Sequence, residues 1–260
     1  MSPLELVIYV CIAVTALCWL VSILTKNYSQ VDRLWSLIPE VYVGIFAAYA
    51  GFANARLNIM FVLTVMWGAR LTYNFARKGG YDWSGEDYRW PILRERFGPL
   101  WFQVFNATFI APYQNVILLL IALPAWFAFE HQAPLGVIDI VATIAFLSFL
   151  LGETIADEQQ WRFHKAKRER TMDPPFLTTG LFRFSRHPNF FCEQALWWCI
   201  AAFGYAASGD YRCFVGAVML VLLFQGSTTF TERISIGKYP SYKDYQRTTS
   251  RLLPMPSKRA

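Results

Sequence analysis

Residues 182–198 read FRFSRHPNFFCEQALWW. Two arginines (Arg183, Arg186), a histidine (His187), an amide (Asn189) and a carboxylate (Glu193) gather where a long apolar segment begins. Pro188 suits the first turn of a helix, where a missing N–H costs nothing, so a helix is expected to start near His187 or Pro188. Its free N–H groups and the positive end of its dipole favour an anion, such as a phosphate, or an amide carbonyl. Arg183 and Arg186 stand just ahead of that end. Asn189 and Glu193 are four apart and share one helix face. Glu193 lies roughly 7 Å into the helix at about 1.5 Å per residue, and a carboxylate at membrane depth is by default a functional candidate. The competing account is that Glu193 pairs with a nearby arginine as packing glue and His187 simply caps the helix.

Two further polar clusters border apolar segments. In LGETIADEQQWRFHKAKRER, Glu153, Asp157, Gln160, His164 and Arg168 recur at three- and four-residue intervals, a polar stripe on one face of a helix, acidic first and basic last. A solvated helix face explains the outer part of the stripe and explains Glu153 and Asp157 poorly. In TTFTERISIGKYPSYKDYQRTTSRLLPMP, Glu232 and Arg233 again mark a segment edge, followed by Tyr239, Tyr242 and Tyr245. Three tyrosines fit an interfacial belt and equally a stack on an aromatic ligand ring. Together the clusters suit a large anionic ligand with hydrogen-bonding rings. The chain has no GxGxxG and no GxxxxGK[ST], so a nucleotide site would be neither Rossmann nor P-loop.

The elements that must position these residues follow from composition. Of 260 residues, 55% are hydrophobic and 16% charged, whereas a soluble domain carries about 25% charge. The apolar residues arrive in blocks of spanning length, which predicts an all-α polytopic membrane protein. Seven transmembrane helices are expected near 3–24, 34–53, 57–76, 106–129, 136–156, 190–207 and 211–230, forming one integrated domain. Within it, residues 1–105 would hold spans one to three, a lipid or substrate cavity and a lid loop; residues 106–260 would hold spans four to seven and the cofactor region. The stretch at 3–24 has no basic n-region and no cleavage site, so it reads as a retained helix. With these spans, 21 of the 24 Lys and Arg residues fall in loops 25–33, 77–105 and 157–189 and in the tail. The positive-inside rule then makes that side cytoplasmic, with the N-terminus non-cytoplasmic and the C-terminus cytoplasmic. The net charge of +6 is thereby mostly topology and requires no nucleic-acid partner. Cys11, Cys18, Cys192, Cys199 and Cys213 form no ligand spacing, so no metal site and no disulfide framework is implied.

With these residues in view, the chain resembles the steroid 5-alpha-reductase superfamily. TTGLFRFSRHPNFFCEQALWW is similar to its signature, a Gly-Leu-Phe stretch followed by an Asn-Tyr/Phe-x-Gly-Glu core. It is most similar to a less characterised steroid-reductase-like membrane branch of the DUF1295 type, through RHPNFFxEQ, WGxRLTYNxxRKGG and KYPxYxxYQRxTSRxxP. RHPN also occurs in similar form in sterol reductases and isoprenylcysteine carboxyl methyltransferases. The superfamily likeness covers roughly residues 140–256, and the narrower one nearly the whole chain. The resemblance implies a seven-helix bundle and NADPH held by the cytoplasmic halves of the C-terminal helices. Asn189 and Glu193 would meet the nicotinamide and ribose region, with Asp157 and Gln160 as the polar pair on span five. Arg168, Arg183 and Arg186 would take the phosphates, Tyr239 or Tyr242 the adenine end, and His187 and Glu232 would complete the cofactor-binding set. The chain departs from the pattern where Cys192 replaces the glycine before the glutamate and Ala156 stands beside Asp157. The glutamate and tyrosine that polarise a steroid carbonyl have no clear counterpart, and Trp67 occupies the tyrosine's place.

The expected activity is hydride transfer from NADPH to a polarised double bond in a steroid-like or other lipophilic substrate. Donor candidates for the developing enolate are Asp32, Arg70, Tyr73 and the loop GGYDWSGEDYRW, with Glu86, Asp87, Tyr88 and Arg89. That loop suits a lid, and an ordinary interfacial loop almost as well. One rival is an S-adenosylmethionine-dependent isoprenylcysteine-type lipid methyltransferase; another is a non-catalytic sterol- or lipid-binding membrane protein. The expected partners are a lipophilic small molecule and membrane lipids. A bacterial inner membrane and the endoplasmic reticulum both fit, and the sequence sets no oligomeric state.

Overall fold

Helices begin where the sequence supplies caps. Ser2 accepts the Glu5 N–H (3.2 Å) while Glu5 accepts the Ser2 N–H (2.7 Å), so a capping box opens α1 (Pro3–Thr25). Asn54 accepts the Leu57 N–H at the head of α4 (Ala55–Arg77). The computed structural model describes residues 1–169 and 172–257, and every regular element among them is helical. Arg170, Lys258 and Arg259, counted above among the basic residues, lie outside the described residues.

Helices stand at all seven expected places, but only four helical segments among the described residues are long and apolar enough to cross a membrane. These are Pro3–Thr25, Arg89–Glu130, Val137–Glu169 and Tyr211–Lys238. The apolar block at 34–53 is broken. A short α2 (Gln30–Leu34) ends in a turn, and α3 (Ile38–Tyr49) starts afresh with Pro39 in its first turn. Proline has no N–H to donate back across that turn, which interrupts an otherwise continuous apolar run. At 12 residues α3 is about 18 Å long, short of a hydrocarbon core of about 30 Å.

The segment Arg89–Glu130 shows the opposite departure, extending 17 residues before the expected start at residue 106. α5 (Arg89–Phe105) is two helices joined at Gly98, whose φ of 73° is open to glycine and strained for other residues, followed by Pro99. A π-helix (Asn106–Tyr113) follows, then α6 (Gln114–Ala122) and α7 (Pro124–Glu130). Phe105, Phe109 and Tyr113 stack at 4.8 Å centroid spacing along the π-helix. The remaining elements are α8 (Val137–Glu169), α9 (Pro188–Ser208), α10 (Val215–Lys238) and α11 (Tyr242–Thr248). Val137, Ile138, Ile140, Val141, Ile144, Leu147, Leu151 and Ile155 leave one side of α8 exposed and apolar, as a lipid-facing surface requires.

The chain packs as two compact units, which group the elements otherwise than a division at residue 105 would. The first comprises Met1–Thr143 with Cys199–Met219, and the second Ile144–Trp198 with Leu220–Ala260. In the first, α3 packs against α4. Ser36 Oγ lies 2.7 Å from Thr72 Oγ1, and Gly68 and Gly44 let the backbones approach. A Cβ on Gly68 would stand 2.5 Å from the Ser36 carbonyl oxygen and 2.5 Å from Glu40 Oε2. Arg56 at the head of α4 pairs with Asp139 (2.7 Å) and donates to the carbonyls of Ala133 and Pro134. That buried guanidinium is fully engaged, and it fixes the loop before α8.

Candidate functional site

In the second unit the opening motif folds as its residue types suggest, but its polar groups divide between two tasks. α9 starts at Pro188 as expected. Arg186 is engaged in structure: Nε and Nη2 donate to Glu232 (2.7 and 3.1 Å), and Nη1 donates to the carbonyls of Gln246 and Thr249. His187 Nε2 lies 3.0 Å from the same carboxylate, and Gln246 Nε2 donates to it at 2.7 Å. The extended segment after α11 closes over the same turn. Arg186 N–H donates to the Ser250 carbonyl, His187 N–H to that of Arg251, and Met255 N–H to that of Phe184. Arg251 reaches back to Gln225 and Thr229. These are neighbours that latch residues 182–187 to α10 and the tail, and they leave Arg186, His187 and Glu232 few groups for a ligand.

The second task falls to α8 and α9. Glu153, Asp157 and Glu193 are each only 4% exposed, three carboxylates at the inner ends of two apolar helices. Asn189 Nδ2 donates to Asp157 Oδ1 at 3.4 Å, and Trp197 Nε1 to Glu193 Oε1 at 3.2 Å. Gln160 is half-buried two residues beyond Glu158 on the same helix. Carboxylates and an amide close together offer hydrogen-bond acceptors and donors side by side, so this group is the stronger candidate for binding. Arg168 is exposed and lies over the Trp161 ring at 5.5 Å; Arg183 is exposed at the other end of the loop.

The three tyrosines share one aromatic neighbour. Tyr239, Tyr242 and Tyr245 gather around Phe176, with centroids at 6.2, 5.0 and 5.7 Å. Lys167 Nζ donates to the Tyr239 hydroxyl (2.8 Å) and to the Pro175 carbonyl, 4.4 Å from the Tyr239 centroid. The Tyr245 hydroxyl donates to the Phe182 carbonyl, and burial pushes that phenol's pKa up. The rings pack on one another as a small core beneath the loop.

In the first unit, the sequence-predicted donors are drawn together by the loop at 79–91. Asn27 and Arg33 donate to its carbonyls at Trp83, Gly85, Gly80 and Asp82. Glu86 accepts the Tyr28 N–H (2.9 Å) and pairs with Arg94 (2.8 Å). Asp87 pairs with Arg89 (2.8 Å), and its N–H donates to Ser29 Oγ. Tyr88 is exposed just before α5. Asp32 accepts the Trp90 indole N–H at 3.0 Å. Burial raises its pKa above the usual carboxylate range, Arg89 pulls it back and Asp87 adds to the rise. Glu86 and Asp87 therefore clasp the loop to α2, while Asp32 keeps an environment that favours its proton.

Sequence reasoning passed over Glu40. It sits in the first turn of α3, half-buried against bare Gly68, and none of the hydrogen bonds or ion pairs among the described residues engages it. The available signal was a single carboxylate inside an apolar block, which is functional by default; it was absorbed into the span around it.

The architecture thus defines an integral membrane protein, all-helical among the described residues, with carboxylates buried along its helices. Residues 18–249 match the family described as "Protein of unknown function (DUF1295)", and the chain belongs to that family. It is similar to "Uncharacterized protein C594.04c" of Schizosaccharomyces pombe, with 39% identity over 91% of this chain and 75% of that relative. No solved structure matches the chain.

Proposed function

We propose that this chain is a membrane-embedded NADPH-dependent reductase of the steroid 5-alpha-reductase-like superfamily, acting on a polarised double bond of a steroid-like or other lipophilic substrate. The proposal includes seven spans, a non-cytoplasmic N-terminus and a cytoplasmic cofactor site. Its main support is the set of buried Asp157 and Glu193 with half-buried Asn189 on α8 and α9. Carboxylates and an amide accept and donate at once, which suits ribose hydroxyls and a carboxamide. The donor set fits that end of the cofactor.

At the phosphate end the fit rests on two of the three arginines first expected. Arg186 is held by Glu232 and two carbonyls, so Arg183 and Arg168 are the arginines left to meet phosphate. Tyr239 and Tyr242 already pack on Phe176, which leaves the adenine without a stacking partner from that group. NADPH, when bound, supplies the hydride. The protein's own contribution is orientation of the cofactor by Asp157, Asn189 and Glu193.

The engagement of Arg186 also lends weight to the methyltransferase reading, because S-adenosylmethionine is cationic and needs no phosphate site. One experiment separates the two. Nicotinamide fluorescence would follow NADPH binding to detergent-solubilised wild type and Glu193→Ala, with S-adenosylmethionine as competitor. The expected result is NADPH binding that the variant loses and the competitor does not displace. Binding of S-adenosylmethionine alone would replace the reductase with a methyltransferase, and binding of neither would leave a lipid-binding protein.

A further inference from the structure

One face of α1 carries Cys11, Cys18 and Ser22, spaced so that all three point the same way. Opposite them stand Tyr42 on α3, Asn106 in the π-helix and Asn115 on α6. The thiol of Cys11 donates to the Asn115 carbonyl (3.6 Å), Cys18 faces the Asn115 side chain, and Tyr42 lies against Cys11. Asn106 Nδ2 donates to Ser22 Oγ at 2.9 Å. Asn115 Nδ2 donates to the Ala111 carbonyl at 2.8 Å, a backbone group of the π turn. Both amide nitrogens are therefore engaged locally.

The oxygens are not. Asn106 Oδ1 and Asn115 Oδ1 have no hydrogen-bond partner, although both residues are 0% exposed. An unmade hydrogen bond in a buried setting carries the full desolvation penalty of the group, and the surrounding lipid offers no relief. Two orphan acceptors specify the missing partner. It must donate hydrogen bonds to amide oxygens, carry no charge and fit among close-packed helices.

We propose that this seam holds ordered internal water. A water molecule donates twice and accepts twice, and buried waters typically make about three hydrogen bonds to groups of this kind. The π-helix is the local cause: its wider turn carries one residue more than an α-turn, and such turns recur at functional positions in helices. Water completes the hydrogen bonding there and gives the first unit a polar, exchangeable interior. The inference is independent of the proposed reductase activity.

The test is synchrotron radiolytic footprinting of the full chain in nanodiscs, in which hydroxyl radicals formed from ordered water oxidise the side chains next to it. Cys18 and Cys213 make a matched pair, 2% and 1% exposed in the same unit, and only Cys18 borders the seam. Cys18 is expected to be labelled several-fold faster than Cys213, and Asn106→Leu with Asn115→Leu is expected to remove the difference. Equal rates for the two thiols in the wild type would overturn the proposal. So would an unchanged Cys18 rate in a folded double variant; if that variant does not fold, the wild-type comparison alone decides.

Discussion

Two buried polar clusters, one in each unit, differ in how fully they are hydrogen-bonded. Around Glu232 in the second unit, Arg186, His187 and Gln246 converge on one carboxylate and the tail supplies carbonyls to the same guanidinium. In the first unit, Asn106 and Asn115 lie among apolar helices with hydrogen-bonding capacity still open. The denser cluster is therefore the latch, and the sparser one keeps groups for a further partner. Saturation of hydrogen bonds, not the number of polar residues in a motif, separates a structural joint from a site.

The largest effect that would test this contrast is at the latch. Glu232→Ala leaves a buried guanidinium uncompensated and is expected to cost about 3–5 kcal/mol, read as a large drop in melting temperature by tryptophan fluorescence in detergent. An unchanged melting temperature would mean that the cluster is not holding the fold. Next comes Gly68→Ala, whose new methyl group meets the Ser36 backbone oxygen at 2.5 Å. Overpacking of that kind costs about 1–3 kcal/mol, read as a lower melting temperature in the same assay.

A smaller, pH-dependent effect is expected at Asp32. Burial holds its folded-state pKa above the unfolded value, so its stabilising contribution is fully present below the unfolded pKa and is lost as pH rises through the folded one. Asp32→Asn keeps an acceptor for Trp90 and removes the titration, so the variant should gain on wild type as pH rises. Parallel melting curves against pH for the two proteins would contradict this. The smallest stability effect belongs to Glu40→Leu, expected within about 0.5 kcal/mol of wild type. A strong loss of stability instead would make Glu40 a structural residue like Glu232.

Much of the helical layout was legible in the sequence because apolar blocks of spanning length leave few alternatives. Pro188 marked the start of α9 to the residue. The break before α3 was missed although Pro39 announces it, since the apolar run continues through the proline without a change in composition. The kink at Gly98–Pro99 was equally visible, yet the charges of residues 89–96 made that stretch look like loop. At the site, the residue types of 182–198 pointed to an anion, but partner choice is a tertiary matter. Nothing local tells that Arg186 meets Glu232, 46 residues away, or that Phe176 fills the ring of tyrosines.

The length of α8 has a consequence for where the protein works well. Its 33 residues make a rod of about 50 Å, against a hydrocarbon core of about 30 Å. Counted from Val137, the core's far boundary falls near Asp157, with Glu153 one turn inside it. Shorter acyl chains bring headgroup water down to Glu153, and longer ones draw the boundary past Asp157. Bilayer thickness is thus expected to set how dry these carboxylates are.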